Sequence, residues 1–587
     1  MPTDRLISHC YFKLAGNEAP AEVMNAVLDI TVEEELLLPA MFVIRLHDPN
    51  LDLMDGDTFA LGKEVIVEAE GGNGRALPIA AGEITALEPE FTPDGATLTV
   101  RGYDRLHRLT RGRKTKVFAN MSDADIVGAI ARDAGLKAEC DSTTEKYDHV
   151  LQHNQSDWEF LLERARRIGF VVTIDGKTIL FRKAPPESAP VELEWGELLS
   201  NLRLRQSAGG QVKEVIVRGW DAKNKKEITG KASSPRGLPR IGEARNGGAV
   251  IKDAFSAQPQ RIVVERPVGT QGEADALAQA LLDEIAGAHI QAEGFAAGNP
   301  ELRAGAKVKL TSVGQRYGGD YTLTAVTHRY NATGYTTGFR ASGRREQALL
   351  ALMSAGEPAV GSQGAVVGVV TSIDDPDNRG RVKVRYPWLD GKEASIQSDW
   401  ARVAGPGAGA ERGICFMPEV DDEVLVVFEH GDMRTPYVIG GLWNGKDKPP
   451  APPVKDKKVE KRTLKTRNGH MVMFTDEASG GKGAIDIKTA DGKLIKLTDT
   501  GKGIEIKTDN HTVKLDDQGS LLSLESKGNL KIKADQKVTI EGQAGVEMKS
   551  SASVDIKGAM IKAQSDGMFD LKSSGIMNVQ GSLVKIN

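Results

Sequence analysis

The chain has 587 residues, 40% hydrophobic and 27% charged, with a formal net charge of −5, 64 glycines and only 5% aromatic residues. That length exceeds one core and implies roughly three or four domains, and the mild negative charge gives no reason to expect nucleic acid as a partner. Cys10, Cys140 and Cys415 are too far apart for a disulfide framework or a paired-cysteine metal knuckle, the start MPTDRLISHCYFKLAG lacks the apolar core of a signal peptide, and no apolar run is long enough to cross a membrane. Assembly in a reducing bacterial cytoplasm, without a signal peptide, is the resulting expectation.

Residues 1–355 mix strands and helices. KEVIVEAEG (63–71), ATLTVRGYD (96–104) and VKEVIVRGWD (212–221) alternate or run apolar like strands, and FVVTIDGKTILFRK (170–183) reads as a hairpin turning at Asp175-Gly176. Helices stand between them. Ser122 with Asp125, and Ser156 with Glu159, have the spacing of capping boxes, and the two helices stop at Gly135 and Gly169. EADALAQALLDEIAGAH (273–289) is a third helix and REQALLALMSAG (345–356) a fourth. A short joint, GEPAVGSQG (356–364), follows.

Residues 364–445 hold five short apolar segments punctuated by Gly and Pro, the pattern of a small closed barrel, with the OB-fold as leading candidate. A Pro/Lys linker (446–462) is expected to be extended and stiff. The last zone, 463–587, has almost no helix signal and contains a repeat. The apolar pairs Leu530/Ile532, Val538/Ile540, Val546/Met548 and Val554/Ile556 recur every eight residues. After a slip of one residue the series resumes as Ile561/Ala563, Phe569/Leu571 and Met577/Val579, and the earlier part has a looser period of nine or ten. Such short periods mean a β-solenoid or β-helix. Two apolar residues per repeat give too thin an inward face for one chain, whereas three chains winding together close a triangular prism. The outward Lys, Asp, Glu, Ser and Thr keep its flank soluble. The repeat therefore predicts a homotrimeric needle with these pairs as its core.

The order of hub, barrel and repeat resembles the VgrG-type spikes of contractile injection systems, in which the hub and spike of contractile-tailed phages are fused. The segments carrying the likeness are GRVKVRYPW, SDWARVAGPGAG, MPEVDDEVLVVFEHGD and PYVIGGLWNGKDKPP in the barrel, with NQSDWEFLLERARRIGFVVTIDG and YTLTAVTHRYNATGYTTGF in the hub. The resemblance implies two barrel-like hub subdomains with inserted helices, an OB-fold barrel and an intertwined trimeric β-helix. It implies inner-tube and baseplate partners, a PAAR-type tip protein seated on Val584, Lys585, Ile586 and Asn587, effector cargo carried indirectly, and contact with a target membrane on firing. Some phage spikes carry a muramidase between barrel and needle, but here a short linker fills that interval. The HxH pattern with which some tips hold iron is absent from the repeat.

Several segments invite chemical readings. Glu429, His430 and Asp432 have the residue types of an acid–base pair or a metal site. Their place between two barrel strands, with Gly431 permitting a bend, favours a polar turn. GPGAGAERG (405–413) lacks the lysine of a phosphate-cradling loop and reads as a barrel loop. His149 and His153 have the spacing of two helical zinc ligands, but they precede a helix cap without an HExxH motif, so a loop or strand is preferred. The basic run RGYDRLHRLTRGRKTK (101–116) offers phosphates a site, yet it interleaves no aromatics and reads better as a hub loop facing a partner protein. The resulting expectation is a non-enzymatic spike with no cofactor and no metal. A glycan hydrolase on a β-helix and a tail-fibre-like adhesin are the rivals. A released, phage-tail-like particle is favoured over a type VI or membrane-anchored one.

Overall fold

The computed structural model describes residues 9–71, 74–185, 189–343, 364–387, 397–476, 483–499 and 503–586. It divides into two units, Met1–Asp447 and Lys448–Asn587. The helix read over 345–356, and most of the joint after it, lie outside the described residues.

The chain is mainly β. An 11-stranded sheet runs through the hub, and its centre is a pairing between remote segments: Val27–Glu35 lies antiparallel to Ala325–Asn331, with Ile30 opposite Tyr330. Alternation drives these strands inward on one face. Along Met41–His47, Phe42, Ile44 and Leu46 are buried while Arg45 and His47 point out. Where Gly95–Tyr103 crosses this layer, Gly102 leaves no room for a side chain. A Cβ there would stand 2.1 Å from the Phe42 ring and 2.4 Å from the Glu83 carbonyl oxygen.

Both expected capping boxes form. Ser122 Oγ accepts from the Asp125 N–H ahead of helix Asp123–Asp133, and Ser156 Oγ accepts from the Glu159 N–H ahead of helix Asp157–Ile168. Gly169 ends the second helix in the left-handed region, at φ 70°. The helices enclose a core with Phe118, Trp158, Phe160 and Phe181, and a buried ion pair joins Arg164 to Asp123 at 2.6 Å. The hairpin of Val171–Asp175 and Thr178–Arg182 pairs Asp175 with Thr178, so its turn is Gly176-Lys177, one residue later than the sequence suggested. The residue with positive φ is Gly176, and it has to fall inside the two-residue loop. Helix Gln271–Gly287 packs on strands Glu214–Asp221 and Lys226–Ala232.

Five strands, Val366–Ser372, Arg381–Arg385, Ala401–Val403, Glu423–Phe428 and Pro436–Gly441, close into a barrel in the order first, second, third, fifth, fourth. Val370, Val382, Val384, Val424, Val426 and Val438 fill it, and Leu151 from the hub joins the same core.

In the second unit the linker is not uniformly extended. Val454–Lys455 folds back on Lys458–Val459 around Asp456 and Lys457, both at positive φ. Two consecutive left-handed residues make the tight hairpin turn that the proline content alone did not suggest. Next comes a seven-stranded antiparallel meander from Lys461–Lys465 to Leu521–Ser526, each strand pairing only with its neighbours in sequence. The looser period of nine or ten is one strand plus one turn of this sheet. Residues 527–586 carry no strand or helix within the single chain.

Candidate functional site

The barrel corner that suggested chemistry is a turn. Glu429–Gly431 forms one 3-10 turn with His430 and Gly431 at φ 50° and 79°, joining the fourth and fifth barrel strands. Glu429 accepts from the Tyr437 hydroxyl at 3.1 Å. Asp432 accepts from the Arg434 backbone N–H at 3.0 Å and from its guanidinium at 2.6 Å. Among the described residues no three His, Cys, Asp or Glu side chains gather as a metal-holding group.

Arg434 gives this corner a second role that the sequence reading missed. Its guanidinium reaches out of the barrel to the Pro267 carbonyl at 3.4 Å and to Glu273 at 3.7 Å, at the start of hub helix Gln271–Gly287. Arg167, from helix Asp157–Ile168, meets the same two groups, donating to Pro267 at 3.1 Å and lying 3.9 Å from Glu273. Two arginines and two carboxylates thus clasp hub to barrel with little exposure. Burial pushes Arg167 down to about 10, and the neighbouring Arg434 adds to that. For Arg434 burial acts in the same direction, but Asp432 outweighs it and holds the guanidinium charged. For Asp432 burial favours the neutral acid, and Arg434 overcomes it, leaving the carboxyl below its ordinary range. A depressed carboxyl stabilises at every pH above its unfolded value of about 3.9 and loses that contribution as pH falls through the lower folded value. The clasp is therefore expected to keep full strength down to about pH 5 and to fail only in strong acid. Hydrogen exchange of the barrel strands across a pH series, corrected for intrinsic rates, checks this.

Most basic side chains of the run 101–116 are paired with carboxylates of the hub itself. Arg101 pairs with Glu88 at 2.9 Å, Arg105 with Glu64 at 2.7 Å, Lys114 with Asp157 at 2.6 Å and Lys116 with Asp133 at 2.7 Å. Arg108 and His107 converge on Glu83. Burial of Glu83 favours the neutral acid, but these two partners hold its carboxyl low. These pairings, with carboxylates that arrive from distant strands and helices, leave little free charge for a phosphate, while Arg108, Arg111, Arg113, Lys114 and Lys116 stay on the exposed surface of the hub. His149 and His153 lie on strand Lys146–Gln155, not on a helix, and His149 Nε2 lies 2.8 Å from the Gln397 carbonyl. Segment 405–413 forms a small exposed ladder, Ala408–Gly409 against Arg412–Gly413.

The second unit presents a different kind of site. Across the meander the register aligns Leu464, Val472, Ile487, Ile495, Ile506, Val513 and Leu524 in one row. A second row on the same face runs Phe474, Ile485, Leu497, Ile504, Leu515, Leu522. The opposite face carries Asp486, Lys496, Glu505 and Lys514 side by side. The apolar face is uncovered in the single chain: Ile487 is 44% exposed and Ile495 39%. The repeat pairs beyond it are also exposed. Leu530, Ile532, Val538, Ile540, Val546, Met548, Val554 and Ile556 each expose half or more of their surface, as do Phe569, Leu571 and Val579, with Met577 at 49%. At the end, Val584 and Ile586 are exposed and Lys585 lies between them, while Asn587 falls outside the described residues.

A hub sheet, a five-stranded barrel and a β-rich extension in one chain define a fused hub-and-spike protein of the phage-tail type. The family model described as the Alg8 N-terminal domain matches residues 8–332, and that of the type VI secretion system/phage-baseplate injector OB domain matches residues 366–443. The first covers more than half of the chain, which belongs to that family and is a VgrG-type spike chain. It is 29% identical over 188 residues to the type VI secretion system spike protein VgrG2a of Pseudomonas aeruginosa, covering 27% of this chain and 21% of that one. It is 31% identical over 109 residues to VgrG3 of Vibrio cholerae, covering 18% and 11%. These matches span about a fifth or less of those relatives' length. Two solved PdpA-VgrG complexes share the fold at a TM-score of 0.51. The half-lidded Francisella complex is 8% identical, covering 89% of this chain and 88% of that chain, and the lidless complex is 9% identical, covering 89% and 98%.

Proposed function

We propose that the chain is the homotrimeric central spike of a phage-tail-like contractile injection machine, with a mechanical and non-enzymatic role. The hub seats on the inner tube and baseplate, and the barrel joins the hubs to one needle. The needle breaches the target envelope when the machine fires. A PAAR-type protein caps the end at Val584, Lys585, Ile586 and Asn587, and cargo rides on that tip or in the tube. The likeness to VgrG proteins supports this reading, and the observation that carries it is the uncovered apolar face of the meander with the exposed pairs that continue it. Exposed apolar area this extensive marks an association surface. Three chains facing inward cover it with one closed, symmetric arrangement that leaves no open sheet edge. An intertwined trimer cannot open locally without breaking many ladders, which makes it stiff and kinetically stable. A particle-borne spike assembled in the cytoplasm is favoured over a membrane-anchored one.

Native mass of the full chain, and of a chain lacking 463–587, tests the proposal. A trimer that depends on the deleted segment supports it. A stable full-length monomer overturns it and reopens the glycan-hydrolase and adhesin readings.

A further inference from the structure

Where hub and barrel meet, they leave a cleft of about 560 Å³. Its barrel side is built from the loop between the first two strands, from the second and third strands, and from the loop between the fourth and fifth. In OB-folds this is the face on which oligonucleotides and oligosaccharides bind. The hub side is strand Glu214–Asp221 with residues 145–149, at the start of strand Lys146–Gln155, and the segment 264–270.

The cleft is braced in the single chain. Lys223 reaches Asp377 across it at 3.6 Å, His149 meets the Gln397 carbonyl at 2.8 Å, and the Arg434 clasp closes one end. The first barrel loop is fixed by buried Asp375, which accepts the backbone N–H groups of Asp377, Arg379 and Arg381 at 3.1, 2.8 and 3.2 Å. A cleft whose walls are tied in this way is formed before any ligand arrives.

Its lining combines flat apolar faces with donors and acceptors. Trp220, 45% exposed, projects from the hub, and Trp400 and Tyr437 stand on the barrel side. Arg218 and Arg402 line the cleft without a carboxylate partner among the described residues, and Arg402 lies 5.5 Å from the Tyr437 ring centre. Asp148, Asp399 and Glu429 supply acceptors. Lys146, Lys223, Arg379, Arg381 and Arg434 and the carboxylates Glu145 and Glu273 also line the cleft, so both signs alternate around it, whereas a phosphodiester chain needs a groove of one sign. A sugar ring matches the set better. Its C–H face lies on an aromatic ring, and its hydroxyls both donate to carboxylates and accept from guanidinium groups.

We infer that the hub–barrel cleft is a binding site for a neutral oligosaccharide, held between Trp220 of the hub and Trp400 and Tyr437 of the barrel. The inference is independent of the trimeric needle, because every residue it uses lies in the first unit.

The test titrates the purified full-length protein with cellotetraose, maltotetraose and N-acetylchitotetraose, up to about 5 mM, and follows tryptophan fluorescence. A saturable change is expected with at least one sugar. Trp220→Ala should weaken it by about tenfold or more, and so should Arg402→Ala. Both side chains are solvent-facing, and an unchanged native mass verifies that the variants fold. Trp443→Ala, at an exposed tryptophan outside the cleft lining, should bind like the parent. No saturation with any of the three sugars, undiminished binding by Trp220→Ala, or saturation only with oligo-deoxythymidylate would overturn the assignment.

Discussion

A full-length chain carrying Ile495→Asp is expected to sediment as a monomer under conditions in which the parent sediments as a trimer. Ile495 stands in the middle of the longer apolar row, opposite Ile487 on one side and Ile506 on the other. Burying one isoleucine contributes about 1.5–3 kcal/mol, and a closed trimer buries it three times, so its loss alone removes roughly 5–9 kcal/mol per assembly. The carboxylate adds to this, because a buried unpaired charge costs several kcal/mol more or has to take up a proton. Lys496→Ser is the internal control. That side chain lies on the opposite face, 3.9 Å from Asp486. A single ion pair this long and partly open to solvent contributes at most about 1 kcal/mol, so this variant should remain a trimer. If Ile495→Asp also remains a trimer, the apolar face of the meander is not the contact between chains.

The second large effect is expected at the clasp between hub and barrel. Arg434→Met should destabilise the docking of the barrel by about 3–5 kcal/mol, because it leaves Asp432 and Glu273 with a buried charge and one cation fewer. Removing the orphaned carboxylate as well, as Arg434→Met with Asp432→Asn, should recover most of that loss. Hydrogen exchange of strand Pro436–Gly441 reports the opening. Faster exchange in the single variant, slowed again in the double variant, is the expected pattern. Equal exchange in all three proteins would mean that the buried charges do not hold the barrel in place.

Much of the architecture was legible because it is local. Ser122 and Ser156 announce their helices by the acids three residues later, and the short apolar runs Val366–Ser372 and Glu423–Phe428 mark barrel strands whatever lies around them. The meander was legible as a repeat, although its antiparallel register was not, since apolar positions two apart fit either direction of pairing. The readings that failed depended on distant partners. Arg105 and Arg108 look free in sequence, and only the folded sheet brings Glu64 and Glu83 to them. Arg434 drew no notice beside Glu429, His430 and Asp432, because its hub partners lie far away in the chain. The one usable signal was its position two residues after Asp432, in a corner too short to leave either charge in water. Trp220 and Trp400 gave no sequence hint of sharing a cleft.

The central pairing of the hub sets an order of events during synthesis. Strand Val27–Glu35 cannot complete its sheet until Ala325–Asn331 has left the ribosome, whereas each strand of the meander meets its partner as soon as the next turn is made. At about 5–20 residues per second the head of the protein has several seconds to close before the meander emerges. The apolar face therefore emerges only after both partners of the hub's central pairing are available to fold. In the trimer proposed above, nascent chains on neighbouring ribosomes meet head-bearing and in one orientation, which favours parallel joining over random clumping.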